Sequence, residues 1–248
     1  MGSGRGRHHS ILANVQIPTS SALRNTITSA MLLYYITDRK GFAGTDGQQR
    51  EALLRKIADA ARAGMDYIQL REKELAPHEL ERLAGEAVRA VRDHSTTTKL
   101  LINARTDVAL AAGADGVHLP AGEIDASEVR ALWMRCGNSR PMIGLSAHST
   151  ADVCYAQAHG ADFAVLAPIF EKVQTATRGI GLHALRAACA EAGGFVVLAL
   201  GGVTLSNARA CIEAGAVGVA GIRLFQQGDV FETVRLLRAI QENVNAAP

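Results

Sequence analysis

Ala112-Gly113-Ala114-Asp115 runs directly into Gly116-Val117-His118-Leu119, and the fold can be read outward from this stretch. A glycine suited to end a helix in the left-handed region stands just ahead of a short run bare of charge. The same phrase recurs as Ala63-Gly64-Met65-Asp66, His159-Gly160-Ala161-Asp162 and Ala214-Gly215-Ala216-Val217, at intervals of about fifty residues. The apolar runs that go with it are Leu32–Thr37, Tyr67–Leu70, Leu100–Asn103, Gly116–Leu119, Met142–Ser146, Phe163–Ala167, Phe195–Leu200 and Gly218–Ile222. None alternates with polar residues, which is the pattern of strands buried on both faces of a parallel sheet. Amphipathic stretches lie between them. In Arg50–Arg62, residues Leu53, Leu54, Ile57, Ala58 and Ala61 share one face; Ser127–Arg135, Ala151–His159, Ser206–Glu213 and Val230–Asn243 read the same way. Eight strand–helix pairs in about 210 residues predict one (β/α)8 TIM barrel over residues 31–248, with an open doubly wound sheet as the competing arrangement.

Composition excludes several classes of function. Of 248 residues, 48% are hydrophobic, ample for a packed core and too many for a wholly disordered chain. No apolar stretch approaches the roughly 18 residues of a membrane span. A net charge of +2 without long Lys/Arg runs argues against a nucleic-acid binder. The cysteines Cys136, Cys154, Cys189 and Cys211 form no C-x-x-C pair and fall in helical stretches, so they are expected to be buried free thiols of a cytoplasmic protein. Residues 1–30 are rich in Arg and Ser/Thr and carry no acid. That resembles a transit peptide, but a disordered extension, with Met31 as an alternative start, is the expectation. The sequence leaves the oligomeric state open, a homo-oligomer included.

The helix-ending glycine phrases belong at the bottom of the barrel, where they and their acids are structural. Chemistry belongs at the opposite end, where strands lead into βα loops. The residues there are polar: Asp38, Arg39 and Lys40; Gln69, Arg71 and Lys73; Asn103 and Arg105; His118 and Glu123; Ser146 and His148; Pro168 and the segment 171–181; Gly201 and Gly202; Gly221 with Ile222 and Arg223. A single loop cation is ordinarily a solvated charge. Arg71, Lys73 and Arg105, with Lys172 or Arg178, on one rim suit a phosphate or diphosphate. Gly201-Gly202 after strand seven and Gly221 after strand eight fit the phosphate cradle common in this fold. His148 is a candidate general acid/base or a bond to a backbone carbonyl, and His118 reads as a satisfied interior histidine.

The ordered strings YIQLREK (67–73), ADGVHL (114–119), IGLSAH (143–148), GADFAVLAPIFE (160–171) and LGGV (200–203), with the INAR segment around Asn103, resemble thiamine-phosphate synthase and its relative, the thiazole tautomerase. The resemblance covers about Leu32 to Phe225. It implies a (β/α)8 barrel that joins hydroxymethylpyrimidine diphosphate to thiazole phosphate and releases pyrophosphate with Mg²⁺. It further implies that Gln69, Arg71, Lys73 and Asn103 bind the pyrimidine diphosphate. Ser146 then contacts the reacting substrates, and Gly201, Gly202, Gly221 and Ile222 hold the thiazole phosphate. Lys73, Ser146 and His148 are the catalytic candidates.

Two departures from the family pattern stand out. The usual Asp after the strand-three Asn, a Mg²⁺ ligand, is here Ala104, which has no oxygen for a hard cation. The second carboxylate position falls on Glu123, in PAGE rather than GQED, leaving Glu123 as the metal candidate. The family's Pro-Thr-x-Thr-Lys clamp is replaced by Glu171-Lys172-Val173-Gln174-Thr175, with Lys172 as the substitute cation. A synthase with a divergent Mg²⁺/diphosphate site is therefore the expectation. The alternatives are a metal-independent thiazole tautomerase using His148, or a non-catalytic phosphate-ligand binding protein on the same barrel.

Overall fold

The computed structural model describes residues 31–137, 139–171 and 178–245. The expectations for residues 1–30 and for Lys172 fall outside the described residues. Eight strands close into a parallel barrel in chain order. They are β1 (Leu32–Ile36), β2 (Tyr67–Leu70), β3 (Lys99–Asn103), β4 (Gly116–Leu119), β5 (Met142–Ala147), β6 (Phe163–Leu166), β7 (Val196–Ala199) and β8 (Gly218–Gly221). The closed barrel sets the open-sheet alternative aside. Closure is made by β8 pairing with β1, Leu32 opposite Gly218 through Tyr35 opposite Gly221.

Every expected strand is present within a residue at either end. Helices deviate more, because their starts depend on caps. Asp46–Arg62 begins four residues ahead of the apolar face, since Thr45 and Gln48 form a capping box. Ala208–Glu213 begins later than its apolar pattern because Asn207 Oδ1 takes the Thr204 amide at 2.7 Å and holds those residues in a turn.

The repeated phrases are bottom-of-barrel devices. Gly64, Gly113, Gly160 and Gly215 all have positive φ. In three of the four, the Asp that follows accepts the first amides of the strand before it: Asp66 from Leu33 N–H at 2.7 Å, Asp115 from Leu100 at 2.9 Å and Asp162 from Ile143 at 2.8 Å. Arg238 pairs with Asp66, and Arg130 and Arg140 pair with Asp162. Charge is thus spent on satisfying strand-end backbone groups, which would otherwise be buried without partners.

Two cores result. A large one lies between sheet and helices, and a small one inside the barrel contains Tyr34, Ile36, Leu101, Phe163, Val165, Leu198 and Ala220. Alternation along each strand therefore sends Gln69, Asn103, His118 and Ser146 inward as well. The cysteines depart from expectation. All four are free thiols, but Cys211 alone of them is buried, and Cys136, at a helix C-terminus, is exposed.

Candidate active site

The barrel interior is stacked in layers from the bottom upward. Tyr67 and Phe163 lie face to face with centroids 5.1 Å apart, and Tyr34 meets both edge-on at 5.8 and 5.4 Å. Above this aromatic floor the interior turns polar. Gln69, only 1% exposed, donates from Nε2 to the Tyr34 hydroxyl at 2.8 Å. The same hydroxyl lies 3.2 Å from His118 Nδ1, and His118 Nε2 lies 2.9 Å from Ser146 Oγ. Four residues from four strands are thus joined across the barrel.

His118 has room because residue 144 is glycine. The two face each other across β4 and β5, and a Cβ at Gly144 would sit 2.8 Å from His118 Nδ1 and 2.4 Å from Phe163 Cζ. Burial pushes the imidazole down to about 3, and the charge of Arg71 pushes the same way. The ring is therefore neutral over the physiological range, as the interior reading expects. The charge of Arg71, half-buried just past the end of β2, is thus felt inside the barrel.

The REK segment is anchored by its middle residue. Glu72 turns away from the mouth and is 4% exposed. Its carboxylate accepts the Thr37 hydroxyl at 2.6 Å and the Arg39 amide at 3.1 and 3.2 Å. Thr37 Oγ1 in turn accepts the Arg71 amide at 3.0 Å. The ends of β1 and β2 are tied together, and of the cations on either side of Glu72, Arg71 is half-buried and Lys73 exposed. Burial pushes the Glu72 carboxyl up to about 7, against the lowering effect of the Thr37 and Arg39 bonds. A second clamp joins β1 to β8. Gln226 accepts the Tyr35 hydroxyl at 3.0 Å and the Asp38 amide at 3.1 Å, and donates to Asp38 O at 2.7 Å.

One cation expected on the rim, Arg105, does other work, as does Arg39 after β1. Arg39 is buried and pairs with Asp46 and Glu74, a structural role. Arg105 is bound through both nitrogens to Asp107, which it holds down at about 2. Its charge is already matched in its own turn. Lys73 and Arg178 are exposed.

Across the rim, residues 200–206 and 220–224 with Gln227 line a cavity of about 660 Å³. Gly201, Gly202, Gly221 and Ile222 all border it. Gly201 and Gly202 have φ of 95° and 65°, in the region that penalises any Cβ. A Cβ on Gly202 would also come within 2.7 Å of Phe170 Cβ. The carbonyls of Gly201 and Gly202 are taken by Phe170 N–H at 2.9 Å and Asn207 Nδ2 at 3.0 Å. Among the described residues, the amides of Gly201, Gly202 and Val203 meet no acceptor, so they are available to an anion. Counted in strand spacings around the wall, Gly221 after β8 stands two from the Arg71 strand, about 10 Å, and the Gly201–Val203 amides after β7 stand three, about 14 Å.

His148 lies at the rim beyond β5, its Nδ1 2.9 Å from Ala167 O. A carbonyl can only accept, so the proton sits on Nδ1 and Nε2 is the basic nitrogen. At the end of β3, Arg105 N–H closes a tight turn on Asn103 O at 2.7 Å, with Ala104 between them at φ 61°. Ala104 offers no side-chain oxygen. Glu123 stands on the exposed loop after β4. Among the described residues, no three His, Cys, Asp or Glu side chains are grouped to hold a metal ion.

A family model described as thiamine monophosphate synthase matches residues 33–225. The chain belongs to the thiamine monophosphate synthase family. It is 39% identical over 194 residues to a putative thiamine-phosphate synthase 2 of Aquifex aeolicus, covering 78% of this chain and 96% of that protein. It is 38% identical over 214 residues to the thiamine-phosphate synthase of Methanoculleus marisnigri, covering 83% and 93%. Among solved structures, the thiamine phosphate pyrophosphorylase of Pyrococcus furiosus superposes with a TM-score of 0.70 at 28% identity, covering 86% of this chain and 96% of that one. As a member of the thiamine monophosphate synthase family, the chain is a transferase enzyme. Among the described residues, no helix is long and apolar enough to cross a membrane.

Reading the sequence missed Tyr34, Glu72 and Gly144. Gly144 carried a usable signal, since a glycine inside a strand marks close approach by a neighbour. Tyr34 carried none, because Tyr34-Tyr35 does not reveal which ring faces inward.

Proposed function

We propose that the chain is a thiamine-phosphate synthase, joining hydroxymethylpyrimidine diphosphate to thiazole phosphate and releasing pyrophosphate. What supports this reading is that two cations, Arg71 and Lys73, follow β2 at the same end of the barrel as the Gly201–Val203 turn, whose cavity follows β7 and β8. A single-anion enzyme has no use for both. In this reading Arg71, Lys73, Gln69, Asn103 and Ser146 hold the pyrimidine diphosphate. The Gly201, Gly202, Gly221 and Ile222 wall holds the thiazole phosphate so that its ring nitrogen faces the methylene carbon. The C–O bond ionises, and the nitrogen captures the pyrimidine cation. The chain's work is to stabilise charge on the departing diphosphate and to keep the partners in line.

Mg²⁺ belongs to this proposal on restricted terms. One carboxylate, Glu123, does not fit a resident metal centre. It does fit an ion carried in on the diphosphate, with substrate oxygens and water filling the other positions. When bound, Mg²⁺ would neutralise diphosphate charge. Lys172 is the further cation proposed for the leaving group.

The test is pyrophosphate release from the two substrates with Mg²⁺. Turnover is expected, and Arg71→Ala should lower it by roughly 100-fold, the value of one charge-assisted contact made in the transition state. Glu123→Ala should raise the Mg²⁺ requirement, and an unchanged requirement removes Glu123 from the site. No pyrophosphate above background refutes the synthase. The fixed ring of His148 supports a second reading, a thiazole tautomerase. Mg²⁺-independent isomerisation of thiazole phosphate, lost in His148→Ala, would decide for it.

A further inference from the structure

We infer that Tyr34 and His118 are positioning residues that fix the polarity of Ser146, making its hydroxyl a hydrogen-bond donor toward the mouth. The argument is a count of protons. A phenol has one. Gln69 Nε2 donates to the Tyr34 oxygen at 2.8 Å, so the hydroxyl proton of Tyr34 is directed to its other neighbour, His118 Nδ1, at 3.2 Å. A neutral imidazole that accepts at Nδ1 carries its proton on Nε2. That proton goes to Ser146 Oγ at 2.9 Å. Having accepted from His118, the serine has its own proton left for something outside the chain of four.

Gln69, Tyr34 and His118 are all buried, while Ser146 at the top of β5 is half-buried and opens to the mouth. Gly144 leaves the imidazole space to reach both partners. Resting on the reading that this mouth takes phosphorylated substrates, the polarity selects what Ser146 touches. Its free proton calls for an acceptor, which an anionic phosphate or diphosphate oxygen supplies, while one lone pair of the oxygen stays open. The relay thus adds a donor to the cations of Arg71 and Lys73, and it does so with groups that carry no net charge.

The polarity is read directly from ¹⁵N-histidine NMR of the wild-type protein. His118 is expected as the Nε2–H tautomer. An Nδ1–H tautomer overturns the inference, because Ser146 would then donate inward and present only lone pairs to the mouth. In Tyr34→Phe the tautomer preference should weaken. Both Tyr34→Phe and Ser146→Ala should bind inorganic pyrophosphate about tenfold to a hundredfold more weakly, and Ser146→Thr, which keeps the hydroxyl, should restore binding. Wild-type affinity in Ser146→Ala also overturns the inference. Neither readout uses turnover, so a correct tautomer and weakened pyrophosphate binding in a protein that makes no thiamine phosphate would refute the synthase and leave the relay standing.

Discussion

Glu72→Gln tests whether the residue anchoring the REK segment is a buried titrating acid. Burial lifts its carboxyl from 4.5 to about 7 in the folded protein. The native state therefore holds this proton more tightly than the unfolded chain does. Its contribution to stability is full below about pH 4.5, declines as pH rises, and is gone above about pH 7. At roughly 1.4 kcal/mol per tenfold, the interval amounts to about 3 kcal/mol. His118 works in the opposite direction. Its native imidazole, held at about 3 against an ordinary 6.5, favours folding increasingly as pH rises between those values. The two cancel in part between about pH 4.5 and 6.5, so the wild-type profile alone would hide Glu72. Glutamine cannot titrate, and its carbonyl can still accept from Thr37 and Arg39. Urea unfolding of both proteins across this range removes the common His118 contribution. The stability of Glu72→Gln relative to wild type should climb by about 3 kcal/mol between about pH 4.5 and 7.5 and then level off. A difference that stays flat, or that falls with pH, would refute the assignment.

Two further predictions concern the turns at the rim. Ala104→Gly should raise stability by about 0.5 kcal/mol and the melting temperature by about 1–2 °C, because release from φ 61° outweighs the entropy cost of glycine; a drop on thermal unfolding would show that the turn is not strained. Gly202→Ala should cost about 1–3 kcal/mol and weaken inorganic phosphate binding, since the new Cβ meets Phe170 at 2.7 Å in a left-handed backbone; unchanged unfolding and phosphate titration would remove this turn from the cradle.

The barrel was legible because its signals are local. A charge-free run such as Gly116–Leu119 can be buried only on both faces, and a glycine such as Gly113 ends a helix by its own backbone preference. The same logic brought Gly201, Gly202, Gly221 and Ile222 to one wall. Residue type and order did not tell cations apart. Arg71 and Arg105 look alike as strand-end arginines, yet the charge of one is felt by His118 inside the barrel and the other is paired with Asp107, two positions along its own chain. Arg39, another strand-end arginine, is buried and paired with Asp46 and Glu74.

By itself, then, the chain's order of residues determined the alternation of strands and helices, the end of the barrel that carries chemistry, and the family. These follow from periodicity and backbone preference, which act over a few neighbouring residues. Only the tertiary structure decided that Tyr34 faces inward, that Glu72 faces out, and that Gln69, Tyr34, His118 and Ser146 form one hydrogen-bonded row. Those choices depend on strand register and on closure of β8 against β1; the Tyr34–His118 bond joins residues 84 positions apart, and the Tyr35–Gln226 bond beside the closure joins residues 191 apart. No local rule can supply contacts at that separation, because the geometry that creates them exists only once the barrel is shut.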